Sequence, residues 1–193
     1  MDLPIKPDYY LIIDLEATCC DQGSVPRREM ETIEIGAVMV DAASLAVVDE
    51  FQTFIRPVRH PLLTDFCREL TTIKQEQVVN APTYPEAIES LQDWMRHYPD
   101  YLFCSWGDYD KGQFEQDCQY HQVAYPFASG HLNIKKQFSA TQGLKKKYGM
   151  AGALRIAGLS LEGSHHRGID DARNMAKLMP YIAGREKLSV GKR

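Results

Sequence analysis

Asp14 and Glu16 follow directly on an apolar run, Tyr10 to Ile13. The run is short, aliphatic and rich in β-branched residues, which reads as a buried strand. Side chains two apart on a strand share a face, so both carboxylates would project together from the end of a central strand. Adjacent carboxylates repel unless something positive lies between them. Hard divalent cations with oxygen ligands answer that need. The same pair in a loop just past the strand would be inert, so on its own it decides nothing. Two further segments add chemistry. Ser105-Trp-Gly-Asp-Tyr-Asp-Lys-Gly-Gln-Phe114 stands where a strand gives way to a helix, the usual place for ligands at strand carboxyl ends. His165-His-Arg-Gly-Ile-Asp-Asp-Ala172 opens the last helix. Four carboxylates and a histidine, from three separated segments, can then meet at one edge of a sheet. The residues alone leave choices open: Asp108 or Asp110, His165 or His166, Asp170 or Asp171.

The elements that must position these groups follow from pattern. Glu31 to Val40 reads as a second strand, with Ile33, Ile35, Ala37 and Met39 on one face, and Leu45 to Ile55 as a third, with Val47, Phe51 and Phe54 among its apolar positions. Short connections make these an antiparallel meander with the first strand. Thr71 and Thr72 precede a short helix, Ile73 to Val79. A stronger helix, Tyr84 to His97, carries Ala87, Ile88, Leu91, Trp94 and Met95 at helical spacing. Thr83 and Glu86 form its capping box, and Pro85 sits in its first turn. Tyr101 to Trp106 is a fourth strand, parallel to the first, followed by a helix from Tyr109 to about Val123. Leu132 to Lys135 is a short fifth strand. Two more helices are expected, near Ala151 to Ala157 and Ile169 to Ile182. The result is an α/β fold, a mixed five-stranded sheet flanked by helices. Residues 1–8 are an extension, 9–183 one domain, and 184–193 a mobile tail.

The chain has 193 residues, 44% hydrophobic and 25% charged, with a formal net charge of -4. These values describe an ordinary single-domain globular protein. The acidic balance argues against bulk coating of nucleic acid but not against an enzyme acting on it, because ligand carboxylates enter the total. The five cysteines are odd in number and lack zinc-type spacing. Reduced thiols in a cytoplasmic protein fit them better than a disulfide framework. No apolar run approaches a membrane span or a signal segment, so no membrane partner is expected.

Together the motifs resemble those of the DEDDh 3′–5′ exonucleases, of RNase H-like fold. Asp-x-Glu matches Asp14 and Glu16, an Asp at a helix start matches Asp110, and His followed five residues on by Asp matches His166 and Asp171. The spacing Asp-x-x-x-Phe selects Asp110 over Asp108. The resemblance covers residues 9 to 182, and Asp-Leu-Glu-Ala-Thr-Cys, Glu-Ile-Gly-Ala-Val and His-Arg-Gly-Ile-Asp-Asp-Ala point to the enhanced-RNAi (Eri-type) branch. Its KapD-like members are similar in being little more than the nuclease domain. The resemblance implies two Mg²⁺ or Mn²⁺ ions held by Asp14, Glu16, Asp110 and Asp171, with His166 as general base. It implies hydrolysis from the 3′ end of RNA, single-stranded or overhanging, releasing nucleoside 5′-monophosphates. Leu15, Ala17 and Thr18 would receive the terminal nucleotide. Trp106 could stack on a base and Arg167 meet a phosphate, and Lys145 to Lys147 could guide the backbone. A DNA-directed or short-oligonucleotide exonuclease, or a catalytically silent binding module of the same fold, are the competing readings.

Overall fold

The computed structural model describes residues 7–189. Its sheet has the order β3-β2-β1-β4-β5. Strand β1 (Tyr9–Ala17) is central, antiparallel to β2 (Thr32–Asp41) and parallel to β4 (Tyr101–Ser105). Strand β3 (Val47–Phe54) is one edge, and β5 (His131–Asn133), parallel to β4, is the other. The expected meander and parallel crossover are both present.

Alternation along β1 builds two cores. Leu11, Ile13 and Leu15 face α3 (Tyr84–Met95) and α4 (Tyr109–His121), joining Ile35, Ala37 and Met39 of β2. Tyr10 and Ile12 face α5 (Ile134–Thr141), α6 (Met150–Ala157), α7 (Gly168–Lys177) and α8 (Met179–Ile182). Asp14 and Glu16 continue this second face beyond the point where β4 stops pairing at Ile12–Cys104. The sequence places Ile33 with Ile35, but a register shift at Glu16/Ala17 turns it away. Ile33 instead joins a third cluster with Cys67, Ile73 and Val78, under α1 (Asp65–Thr71) and α2 (Gln75–Val79).

Several boundaries differ from the sequence expectation for local reasons. Thr71 and Thr72 end a helix rather than start one. Thr64 caps α1 by accepting the Cys67 amide at 3.0 Å, and Thr72 closes it in the left-handed region at φ 59°. A β-branched residue rarely adopts that conformation, so the sequence carries no obvious stop signal there. Helix α5 was not expected, because Lys135 and Lys136 mask its apolar Ile134 and Phe138, four residues apart. The last helix splits at Leu178, since Pro180 has no amide hydrogen to offer residue 176. The tail from Gly184 was expected to be mobile. Through Leu188 it is tied down: Arg185 donates to the carbonyls of Ala42 and Ala43, Lys187 to that of Thr141, and the Leu188 amide to Gln142 Oε1. Residues 1–6 and 190–193 lie outside the described part of the chain.

One contact sets the distance between α7 and the sheet. A Cβ on Gly36 would lie 2.0 Å from the Gly168 carbonyl carbon, and one on Gly168 would lie 2.9 Å from the Asp14 carbonyl oxygen. The backbone of α7 therefore rests directly on β1 and β2, opposite Asp14 in register. Gly36→Ala is expected to push α7 outward and cost about 2–3 kcal/mol. Urea denaturation would measure it, and an unchanged midpoint would contradict the contact.

Candidate active site

The acidic groups expected from sequence do converge. Ligand oxygens of Asp14, Glu16 and Asp171 all lie within 4.8 Å of one another. Asp110 joins them by a different tie: its Oδ1 accepts the Leu15 amide at 3.0 Å, on the stretch of β1 that has outrun β4. All four line a cleft of about 370 Å³ together with His165 and His166. Asp108 is turned away, bonded to Asn133 and Lys136. Asp170 accepts the Ser164 amide and an Arg173 contact, which makes it a local cap.

The electrostatics of the cleft are strained. Among the described residues no ion pair involves Asp14, Glu16 or Asp110. Burial, then repulsion from Asp171, Glu34 and Asp110, pushes Glu16 up to about 9. Burial, then Asp110 and Glu16, raises Asp14 well above the carboxylate range. Burial carries Asp110 to about 6, opposed by the Leu15 amide, and it also raises Asp171, opposed by His165. Such a set of hard oxygen donors, short of positive charge, fits a divalent cation.

The histidines occupy a tight loop at the start of α7. Their rings stack at 4.1 Å. The His166 amide donates to Asp171 Oδ2 at 3.0 Å, and His165 Nδ1 lies 2.9 Å from the same oxygen. His166 takes φ 64°, an uncommon backbone for a residue with a Cβ. Burial, then His165, lowers its basicity against the opposing pull of Asp171, so the ring is neutral near pH 7. Sequence alone assigned His165 no role, yet it braces Asp171. Its neighbour's motif match hid it.

Other expectations divide. Leu15, Ala17 and Trp106 line the cleft, and the Trp106 indole is anchored to the Tyr148 carbonyl at 3.1 Å. Thr18 does not line it: the residue is buried, its hydroxyl accepting the Glu31 amide. Arg167 is also diverted. Its Nε donates to Glu34 Oε2 at 3.1 Å, beside the Gly168 amide on the same oxygen. Glu34 is fully buried and stands opposite Glu16 in register, where two like charges would destabilise the pair. Arg167 neutralises the inner one. Lys145 to Lys147 are exposed, and the run leads into Gly149 and Met150 at the cleft. Tyr109 and Cys19, inside the matched motifs, also line the cleft, as do Met30 and Leu70, which no sequence signal marked.

Comparison with known proteins gives this site a family. The profile of the exonuclease (RNase T) family matches residues 11–179. The chain belongs to that exonuclease family. It is 33% identical over 179 residues to human 3′-5′ exoribonuclease 1, covering 89% of this chain and 51% of that protein. It is 33% identical over 194 residues to human ERI1 exoribonuclease 3, covering 94% of this chain and 56% of that protein. The chain thus spans about half the length of these relatives. Among solved structures it is similar to the nuclease domain of 3′hExo, a DEDDh family member bound to rAMP. The TM-score is 0.80 at 32% identity, over 96% of this chain and 93% of that one. A 3′-exonuclease solved for recognition of a histone mRNA stem-loop gives 0.84 at 30% identity, over 93% and 64%. Exonuclease I, at 9% identity and a TM-score of 0.69, shares the fold alone.

Two outcomes test the site. Arg167→Met should destabilise the exonuclease domain by roughly 3–5 kcal/mol, because it removes the counter-ion of the buried Glu34. A variant that melts normally and only binds nucleic acid less well would return Arg167 to the phosphate role. The second outcome concerns pH. A carboxylate raised in the folded state contributes its full stability below its ordinary value and loses it as pH rises through the folded one. For Glu16 that window runs from 4.5 to about 9. Without divalent cation the melting temperature should therefore fall between about pH 6 and about pH 8.5. Millimolar divalent cation should reduce the fall, and Glu16→Gln should flatten it.

Proposed function

We propose that this exonuclease-family chain is a divalent-metal-dependent 3′–5′ exonuclease that removes nucleoside 5′-monophosphates from the 3′ end of RNA. The observation that carries the reading is the convergence of Asp14, Glu16, Asp110 and Asp171 with His166 on one cleft. RNA is favoured because the relatives are named exoribonucleases and one similar domain is bound to rAMP.

Asp14, Glu16 and Asp171, with Asp110 beside them, would hold two Mg²⁺ or Mn²⁺ ions, since all-oxygen ligation suits these hard cations. When bound, such ions supply charge stabilisation to the phosphate and the leaving oxygen. The remaining work falls to the chain. His166, neutral and facing the cleft, accepts a proton from the attacking water as its oxygen forms the new bond to phosphorus. The bond to the leaving 3′ oxygen breaks, and that oxygen takes a proton from solvent. Asp171, holding the His166 amide and the His165 ring, fixes the base relative to the carboxylates. Leu15 and Ala17 present the floor on which the terminal nucleotide rests, and Trp106 offers a ring face to a base. The five free cysteines suit a reducing compartment, which supports a cytoplasmic location.

Matched RNA and DNA strands labelled at the 5′ end test the reading. The expected result is stepwise shortening from the 3′ end, faster on RNA, with mononucleotide release that chelator abolishes. DNA degraded as readily as RNA would favour the DNA-directed alternative. Intact strands of both kinds with either metal supplied would leave only the silent binding module. His166→Ala should lower kcat by about 10²–10⁴-fold with metal and RNA binding retained. Parallel loss of binding would remove His166 from the base role.

A further inference from the structure

Arg27 lies in a single 3-10 turn, Arg27–Glu29, between β1 and β2, and is exposed. Its guanidinium sits 4.4 Å from the centre of the Tyr109 ring, and its Nη1 donates to Gln113 Oε1 at 2.7 Å. Tyr109 lines the cleft beside Asp110. Gln113 is fully buried, and its amide nitrogen is fixed by the Met30 carbonyl and Asp117. A ring face and a neutral amide thus hold the guanidinium, and neither cancels its charge. Among the described residues no carboxylate pairs with Arg27, whereas Arg59, Arg68, Arg96, Arg167 and Arg173 each have one. Ordering a long exposed side chain costs conformational entropy. The planar fork it presents matches a phosphate in a bidentate way.

We propose that Arg27 grips a phosphate of the bound strand other than the one being hydrolysed. This rests on the reading of the cleft as a 3′-end hydrolase. The scissile phosphate must lie against the four carboxylates. Arg27 does not line the cleft; it stacks on Tyr109, which does, and bonds to Gln113, three residues beyond Asp110 and about 4.5 Å further along the helix axis. When the 3′-terminal nucleotide is removed, every other phosphodiester is on the 5′ side. Arg27 therefore belongs to an upstream subsite and acts on how firmly the strand is held. It gives an acidic protein a local cation on a ring, Tyr109, that lines the acidic cleft.

Two substrates separate the roles: a single-stranded RNA of about ten nucleotides, and the p-nitrophenyl ester of a nucleoside 5′-monophosphate, which has no upstream phosphate. Arg27→Gln should raise KM for the RNA roughly ten-fold relative to KM for the ester, with kcat on RNA little changed. Binding of the RNA with calcium supplied should lose about 0.7 from its slope of log affinity against log salt. Arg27→Lys should keep that slope and raise KM by less, so it decides the matter if Arg27→Gln folds poorly. Lys111→Gln, a neighbouring exposed cation paired with Glu115, is the control and should leave both quantities as they are. Equal loss on RNA and ester would put Arg27 at the scissile phosphate and overturn the proposal. So would a KM ratio and salt slope indistinguishable from the control. A wild-type protein that hydrolyses neither substrate would instead bring down the reading of the cleft itself, and this subsite with it.

Discussion

Mutual repulsion among four carboxylates in a half-buried cleft is the constraint that the rest of this architecture answers. Asp14, Glu16, Asp110 and Asp171 come within reach of one another without a lysine or arginine between them. In water such groups would move apart. Here each is held by something that cannot move cheaply. Two are fixed by the alternation of one central strand, one by the Leu15 amide, and one by the start of a helix packed on the sheet. Folding energy drawn from the two apolar cores sustains this local strain, as functional sites commonly require.

Close approach is what makes the arrangement possible. Helix α7 reaches β1 and β2 only because two glycines, Gly36 and Gly168, face each other where side chains would collide. That contact brings Asp171 and the histidine loop over the strand that carries Asp14 and Glu16. It also buries Glu34 under the helix start, which then needs Arg167 as a counter-ion. One backbone contact thereby decides the position of one acidic group, the placement of the His165–His166 loop and the fate of an arginine. Asp171 has a second function in this frame, because the same oxygen that accepts the His166 amide also meets the His165 ring. The histidine loop and the acidic cluster are mechanically one unit.

Much of this was legible in the chain itself, because strand alternation and helix capping are local. The side-by-side placement of Asp14 and Glu16 and the Thr83–Glu86 cap of α3 follow from residues a few positions apart. The misreadings share a different cause. Thr72 ends α1 in a left-handed conformation that its side chain does not advertise. Helix α5 hides two apolar residues among lysines. Thr18 and Arg167 look like ligands in sequence, yet the Thr18 hydroxyl accepts the backbone amide of Glu31, and Arg167 donates to the carboxylate of the distant Glu34.

By itself the sequence determined which groups could do chemistry and which elements carry them, since side-chain type and backbone periodicity are properties of neighbouring residues. Only the tertiary structure decided which charged groups remain available to a substrate. Ion pairing and desolvation depend on partners brought close by packing, so Arg167 is consumed by Glu34 while Arg27, propped on Tyr109, is left with its charge intact.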